Sequence, residues 1–247
     1  MEKDKMVYGV RPVIEALQAG KEIEKVLVVT GLKSELFPEM RKLLNEKEIP
    51  LQYVPLEKLN RVTRQNHQGV IAFVSPIIYE DYEQIVPALF DIGRNPLVLI
   101  LDRITDVRNF GAIARTAECA GVDCIIVPSR GSALMGADAV KTSAGALFKI
   151  PVCRSVNLKD TIDYVKACGL QVVAATEKAT EYHFQIDLTL PTAILMGSEE
   201  DGVSPEYLKR CDQRVRIPMV GEIESLNVSV AAGIILFEAV KQRIGLV

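Results

Sequence analysis

The sequence predicts an α/β protein in two parts: a small α/β unit, then a mostly parallel sheet with helices on both faces. Three observations predict this. From Leu97 onward, short apolar runs of strand length alternate with segments of helix length, the pattern of parallel strands joined by crossover helices. Two of those runs, Leu97–Leu101 and Thr192–Met196, are almost wholly apolar, as strands buried on both faces are. A weakly patterned stretch, Tyr79–Arg94, separates this region from an earlier set of strands and helices.

In the first part, Val13, Ile14 and Leu17 recur at helical spacing within Pro12–Ala19. Lys25–Thr30 is apolar and β-branched, which predicts a strand. Ser34–Lys47 is charged, with Leu36, Met40, Leu43 and Leu44 at a helix period. Pro50–Val54 predicts a short strand, Leu56–Thr63 a short helix, and Gly69–Val74 a strand closed by Ser75-Pro76. Tyr79–Arg94 carries Glu80, Asp81, Glu83 and Pro87, and Gly93-Arg-Asn-Pro96 follows. It reads as a connection with room for a short helix. The expected domains are 1–78 and 96–247, with a linker over 79–95.

In the second part, Leu97–Leu101 predicts a strand, Gly111–Ala120 a helix and Cys124–Val127 a strand. Met135–Leu147 is rich in small residues and predicts a helix, as does Leu158–Ala167. Gln171–Thr176, Thr192–Met196 and Arg214–Ile217 predict strands, and Leu226–Ile244 a long helix.

Composition narrows the function classes. The 247 residues are 49% hydrophobic and 25% charged, which excludes a disordered chain, a coiled coil and a collagen-like repeat. With 29 Lys and Arg against 32 Asp and Glu, the chain is not polybasic, so any nucleic-acid contact must come from local patches. The five cysteines, Cys119, Cys124, Cys153, Cys168 and Cys211, have no Cys-x-x-Cys spacing. They read as reduced thiols of a cytoplasmic protein. No signal peptide is expected behind the charged Met1–Met6. The apolar stretch Val228–Phe237 is too short for a bilayer, which needs about 20 residues, so no membrane role is expected. His67 and His183, the two histidines, are too few and too isolated for a metal site, and no metal is expected.

Ligands of open parallel sheets bind beyond the carboxyl ends of the strands, so the loops after Leu101, Met196 and Ile217 come first. The first is Asp102-Arg-Ile-Thr-Asp-Val-Arg-Asn-Phe-Gly111, leading into Ala112–Ala117. Gly111 and Arg115 share a helix face, free amides at a helix start attract anions, and Arg108 with Arg115 would clamp a phosphate. On spacing alone a second reading stays open: Asn109 caps the helix and Arg115 lies on a solvated face.

The second loop, Gly197-Ser-Glu-Glu-Asp-Gly202, permits close backbone approach at its glycine and crowds three carboxylates. It reads equally as the acidic start of a helix near Ser204-Pro205. The third, Ile217-Pro-Met-Val-Gly-Glu-Ile-Glu-Ser-Leu-Asn227, leads into an apolar helix. Core packing accounts for Ala231–Phe237 but explains less well why polar Ser225 and Asn227 enter it. Neither a dinucleotide-binding nor a Walker glycine pattern occurs.

Taken together and in order, Asn109-Phe-Gly-Ala-Ile-Ala-Arg115, Gly197-Ser-Glu-Glu-Asp-Gly-Val203 and Ile217-Pro-Met with Ser225-Leu-Asn-Val-Ser229 resemble the three motifs of the SpoU branch of the SPOUT RNA methyltransferases. Tyr8-Gly-Val-Arg-Pro-Val-Ile-Glu-Ala-Leu17 and Asn66-His-Gln-Gly-Val-Ile-Ala72 resemble the substrate-binding module preceding the catalytic domain in many members, which is similar to a ribosomal-protein RNA-binding fold. With that module, the chain is most similar to the subfamily that methylates a guanosine ribose of 23S rRNA. Two departures lie beside the motifs: Asp106-Val-Arg108 stands where many relatives have Asp-Pro, and Glu200 where many have glycine.

The resemblance implies what periodicity does not. It implies a deep trefoil knot at the C-terminus, otherwise very rare in proteins, and a homodimer through that domain. It implies S-adenosylmethionine as cofactor, held chiefly by main-chain groups at Gly197, Ile217 and Leu226, with Thr176, Met219 and Ser225 beside them. The expected reaction is methyl transfer to a ribose 2′-hydroxyl of RNA. Arg115 takes the catalytic role, as a phosphate clamp and alkoxide stabiliser or as the proton acceptor. Asn109 orients it or the ribose, Glu199 supports it, and Asn227 and Ser229 help hold the site.

For the RNA, Lys58 to Ile78 contains no Asp or Glu, while Lys58, Arg61, Arg64 and His67 stand among amides. That mixture suits phosphate and base contacts, and Arg108 joins it from the motif loop. Arg130, Lys141, Lys149 and Arg154 form a second candidate patch. Ribosomal RNA is the expected substrate. The alternatives are the same chemistry on tRNA and a non-catalytic RNA-binding or ribosome-assembly factor; failure to bind S-adenosylmethionine would favour the latter.

Overall fold

The computed structural model describes residues 6–133, 135–223 and 225–245; the charged start of the chain, residues 1–5, lies outside them. Contacts divide the chain into two compact units, one ending at Ile78 and the other beginning at Tyr79.

The first unit runs β1 (Met6–Tyr8), α1 (Val10–Gln18), β2 (Ile23–Val29), α2 (Phe37–Glu46), β3 (Leu51–Val54), α3 (Leu56–Val62) and β4 (Val70–Val74). Its sheet has the order β1-β4-β2-β3. β4 is antiparallel to β1 and β2, and β3 is parallel to β2. Side chains alternate across a strand, and β2 shows the consequence. Val26 and Val28 pack with Val13, Leu17, Met40 and Leu44 beneath α1 and α2. Leu27 packs on the other face with Ile71, Val54 and Leu59, the last from α3.

The second unit runs β5 (Tyr79–Glu80), α4 (Tyr82–Asp91), β6 (Leu97–Leu101), α5 (Val107–Cys119), β7 (Cys124–Pro128), α6 (Ala137–Thr142), β8 (Val152–Ser155), α7 (Leu158–Ala167), β9 (Gln171–Ala175), β10 (Glu181–Tyr182), β11 (Thr192–Met196), α8 (Pro205–Leu208), β12 (Gln213–Arg216) and α9 (Val228–Arg243). Its eight strands are all parallel, in the order β10-β12-β9-β11-β6-β7-β8-β5. Every residue of β6 and β11 is buried. Val98, Ile100, Ile126, Val172 and Leu195 form one core with Val86 of α4 and Ile162 and Val165 of α7. The alternate residues Leu99, Ile125, Val173 and Ile194 are equally buried, so the opposite face is covered too. α5 packs against both α6 and α9.

Residues 79–95 differ from the linker that composition suggests. They carry β5, which pairs with β8, and α4, whose Val86 enters the core of the second unit. Asp81 acts locally, capping α4 by accepting from the Glu83 amide. The expected helix Met135–Leu147 is split. Ala144 and Gly145 take positive φ values of 51° and 86°, which end α6, and a short 3-10 turn follows over Ala146–Phe148. β1, β5, β8 and β10, of two to four residues each, had no periodic signal. Among the described residues no helix is long and apolar enough to cross a membrane.

Candidate active site

The loops that follow β6 and β11 leave adjacent strands, and the loop after β12 leaves the same end of the sheet. How each helix begins determines what those loops present. α5 starts at Val107, four residues before the expected Gly111, because Asp106 caps it. Asp106 Oδ1 accepts from the amides of Arg108 and Asn109, both at 2.8 Å. An internal carboxylate therefore takes the amides considered for an external anion, and Asn109, not needed as the cap, turns its side chain elsewhere. Gly111 is a packing residue: a Cβ there would lie 2.6 Å from Cβ of Thr142 on α6.

α9 begins at Val228, later than expected, because Asn227 caps it. Asn227 Oδ1 accepts from the Ser229 amide at 3.0 Å and from Ser229 Oγ at 2.6 Å. Ser225 and Leu226 thus precede the helix, which explains their place beside an apolar segment.

With its carbonyl fixed by the cap, Asn227 donates through Nδ2 to Asn109 Oδ1 at 3.0 Å and to Glu199 Oε1 at 2.8 Å. One side chain ties together all three loops. Ser229 takes part through the cap.

Beside this cluster lies a cleft of about 790 Å³ bordered by Thr176, Gly197, Ile217, Met219, Ser225 and Leu226. Small-molecule and cofactor sites span about 300–1,000 Å³. A smaller cleft of about 310 Å³ contains Asp106 and Asn109 and shares Arg103, Ser198 and Glu199 with the first. Gly197 is obligatory here. A Cβ would stand 2.0 Å from the backbone of Gly202 and Val203, so the 197–203 loop folds back on itself, closed by reciprocal bonds between Ser198 and Gly202.

Arg115 is not drawn into the cluster. It is exposed on α5 and, among the described residues, makes no hydrogen bond or ion pair. Glu199, expected to support it, is held by Asn227 instead. The reason is helical: six residues from Asn109 turn Arg115 by about 240° and advance it by about 9 Å. Arg108 is likewise exposed.

In the first unit Lys58, Arg61 and Arg64 are exposed. His67 is not a surface RNA contact. It is 7% exposed; Gly69 N donates to its Nδ1 and its Nε2 faces Asn60 Oδ1, both at 3.0 Å. It is a turn-holding residue. Lys25 adds to the basic surface: it lies 5.2 Å over the Phe73 ring, and burial, then the charge of Lys58, hold its pKa below the ordinary lysine value.

Two cleft residues were not anticipated. Arg103 follows the buried Asp102 and borders both clefts; the hydrogen bond to Asp102 raises its pKa further. The signal was present as an Asp-Arg pair directly after a fully buried strand. Arg216 borders the larger cleft and stacks on Tyr182 at 4.7 Å, and among the described residues its buried Nε has no hydrogen-bond partner. Among the described residues no group of three or more His, Cys, Asp or Glu is placed to hold a metal.

Residues 96–237 match the SpoU rRNA Methylase family, and residues 6–80 match the family described as RNA 2′-O ribose methyltransferase substrate binding. A TrmH family tRNA/rRNA methyltransferase of Staphylococcus saprophyticus is 37% identical over 239 residues, covering 96% of each chain. The SpoU methyltransferase AviRb of Streptomyces viridochromogenes, solved with the cofactor AdoMet, superposes with a TM-score of 0.62 at 30% identity over 97% of this chain and 90% of that one. An AdoMet-bound rRNA methyltransferase of Sinorhizobium meliloti superposes with a TM-score of 0.62 at 29% identity, over 98% and 88%.

Proposed function

The chain belongs to the SpoU rRNA methylase family, and from that premise we propose that it methylates a ribose 2′-hydroxyl of RNA at this site, with a guanosine of 23S rRNA as its target. The observation that carries the reading is Asn227 joining Asn109 to Glu199 beside a cleft bordered by all six expected cofactor positions.

S-adenosylmethionine, when bound, supplies an electrophilic methyl group on its sulfonium. Gly197, Ile217 and Leu226 would hold it mainly through the main chain, with Thr176, Met219, Ser225 and Arg216 lining the cleft. The protein's task is alignment, which contributes about 7–11 kcal/mol in well-oriented reactions. Asn109, Glu199 and Asn227 fix the floor on which the ribose rests. Arg115, exposed on α5 and apart from that floor, is the residue to which the family resemblance assigns the substrate-phosphate clamp and the stabilisation of charge on the 2′-oxygen.

Lys58, Arg61 and Arg64 in the first unit, with Arg108 in the second, contact RNA phosphates. The family also implies a knotted C-terminal domain and a homodimer through it. In support of the dimer, Val230 and Phe237 of α9 and Ile244 just beyond it recur every seven residues at 50%, 48% and 62% exposure, apolar surface of the kind helices bury against each other. Five free cysteines suit the reducing cytoplasm.

A second reading is the same chemistry on tRNA, since the name of the Staphylococcus saprophyticus relative covers both RNAs. The test is transfer of labelled methyl into RNA from cells lacking this protein, resolved into 23S, 16S and tRNA. Label in 23S alone supports the first reading and label in tRNA the second. No cofactor binding and no label would return the chain to a non-catalytic RNA-binding role.

A further inference from the structure

We propose that Arg103 is a positioning residue: its guanidinium holds the 198–202 loop in the shape that the cofactor cleft requires. This rests on the cleft being the cofactor site.

Arg103 reaches the loop from a distant part of the chain. Its Nη1 donates to Asp201 Oδ2 at 3.0 Å and its Nη2 to the Gly202 carbonyl at 3.2 Å. The guanidinium is aimed by Asp102, which is 1% exposed and accepts from Nε at 2.9 Å and from Nη2 at 3.1 Å. Asp102 also accepts from the Ser204 amide at 2.9 Å. One buried carboxylate thus orients the arginine and takes the chain just beyond the loop, while the arginine takes the loop itself. Such fork-shaped pairing fixes direction as well as distance.

The backbone makes the case independently. Arg103 has φ 56°, a left-handed conformation that glycine adopts freely and arginine does not. A strained residue persists where its surroundings require it, and the requirement here is the side chain, since the turn alone would be better served by glycine. The loop has little else to hold it. Gly197 must pack directly on Gly202 and Val203, the closure is the Ser198–Gly202 pair with Asp201 N on Ser198 Oγ at 3.1 Å, and Glu199 reaches Asn227. If residues 201 and 202 drift, both Gly197 and Glu199 lose their places.

Arg103→Gly relieves the backbone while removing the guanidinium with the rest of the side chain, which also takes two donors from Asp102. Asp201→Asn, at an exposed position, weakens the same tie without touching the buried pair. The readouts are hydrogen exchange of the 198–204 amides in the free protein, calorimetric affinity for S-adenosylmethionine, and KM against kcat. We expect Arg103→Gly to speed exchange at Asp201, Gly202 and Ser204 at least about tenfold. Cofactor affinity should fall about tenfold, with KM for the cofactor rising more than kcat falls. Asp201→Asn should give a smaller change of the same kind and add nothing in the double variant. Unchanged exchange in Arg103→Gly, or additive effects in the double variant, would overturn the proposal. Absence of cofactor binding by the wild-type protein would instead sink the cofactor reading, and the exchange rates would still decide whether Arg103 holds the loop.

Discussion

Asn227 and Glu199 lie 28 residues apart in sequence, yet the Asn227 amide donates to the Glu199 carboxylate at 2.8 Å. Its other donor bond goes to Asn109, and its carbonyl caps α9. An asparagine in this position is fully engaged, since its two donors and its acceptor each have partners.

That relationship predicts the outcome of Asn227→Asp. Aspartate caps a helix as well as asparagine does, so the start of α9 is kept and any fall in melting temperature comes from the two lost donor bonds and not from the cap. Both donors vanish and a second carboxylate faces Glu199, so kcat/KM should fall at least about tenfold, since a hydrogen bond to a charged group contributes about 1.5–3 kcal/mol. Unchanged activity in this variant would contradict a role for the two amide donors and leave Asn227 as the cap of α9 alone.

Arg115→Ala should leave stability within about 0.5 kcal/mol, as expected for an exposed side chain away from structural features. Cofactor binding by calorimetry should survive, and methyl transfer should fall by about 10²–10³, the usual loss when one transition-state donor is removed. Parallel loss of binding and transfer would give Arg115 a structural role.

Replacing Lys58, Arg61 and Arg64 together with alanine should weaken RNA binding uniformly across sequences. The salt dependence of the binding constant should flatten by about 0.7 for each phosphate no longer neutralised, with no change in melting. His67→Ala should do the reverse: one buried and one partly buried hydrogen bond go, at about 1–3 kcal/mol of stability for the buried group left unpaired, and the salt slope stays.

Arg243 anchors the end of α9 to the far side of the sheet, donating to the carbonyls of Leu188, Asn95, Pro96 and Leu190 at 2.7–3.0 Å. Burial lowers its pKa while Asp123 opposes that. Arg243→Met strands those carbonyls and should cost about 2–4 kcal/mol in denaturant unfolding. Arg243→Lys should restore only part, because an ammonium cannot span four acceptors. A loss under about 0.5 kcal/mol would contradict this.

Cys211 supplies a pH dependence. Burial, then Asp212, push its thiol from 9.0 up to about 11. The neutral form is the one the fold favours, so its contribution is complete below pH 9 and is lost as pH rises toward 11. The melting temperature should drop across that window, and the drop should shrink in Cys211→Ala. An identical drop in both proteins would exclude Cys211 as its source.

What the sequence reveals of this fold follows from where periodic signals are strong. β6, α7 and β11 have the bounds read from their residues, because a five-residue apolar run or three helical turns outweigh local noise. β5 and β10, of two residues each, have no period to detect. The helix starts were displaced by capping: Asp106 pulls α5 earlier and Asn227 pushes α9 later, and each cap depends on backbone conformation that residue type alone does not fix. The six positions expected to hold the cofactor share one cleft because they lie in loops that follow strand ends of a parallel sheet. Arg115 and Glu199 do not pair because helix rotation separates them, and His67 is inside because its ring serves a turn. Arg103 escaped notice because its role depends on a left-handed backbone and on Asp201, 98 residues away.

The most direct test of the central claim is to digest RNA labelled by this protein and S-adenosylmethionine to nucleosides and locate the methyl group. The account predicts all label in a 2′-O-methylated nucleoside with an unmodified base. Label on a base, or none from wild-type protein with bound cofactor on RNA lacking the modification, would contradict it.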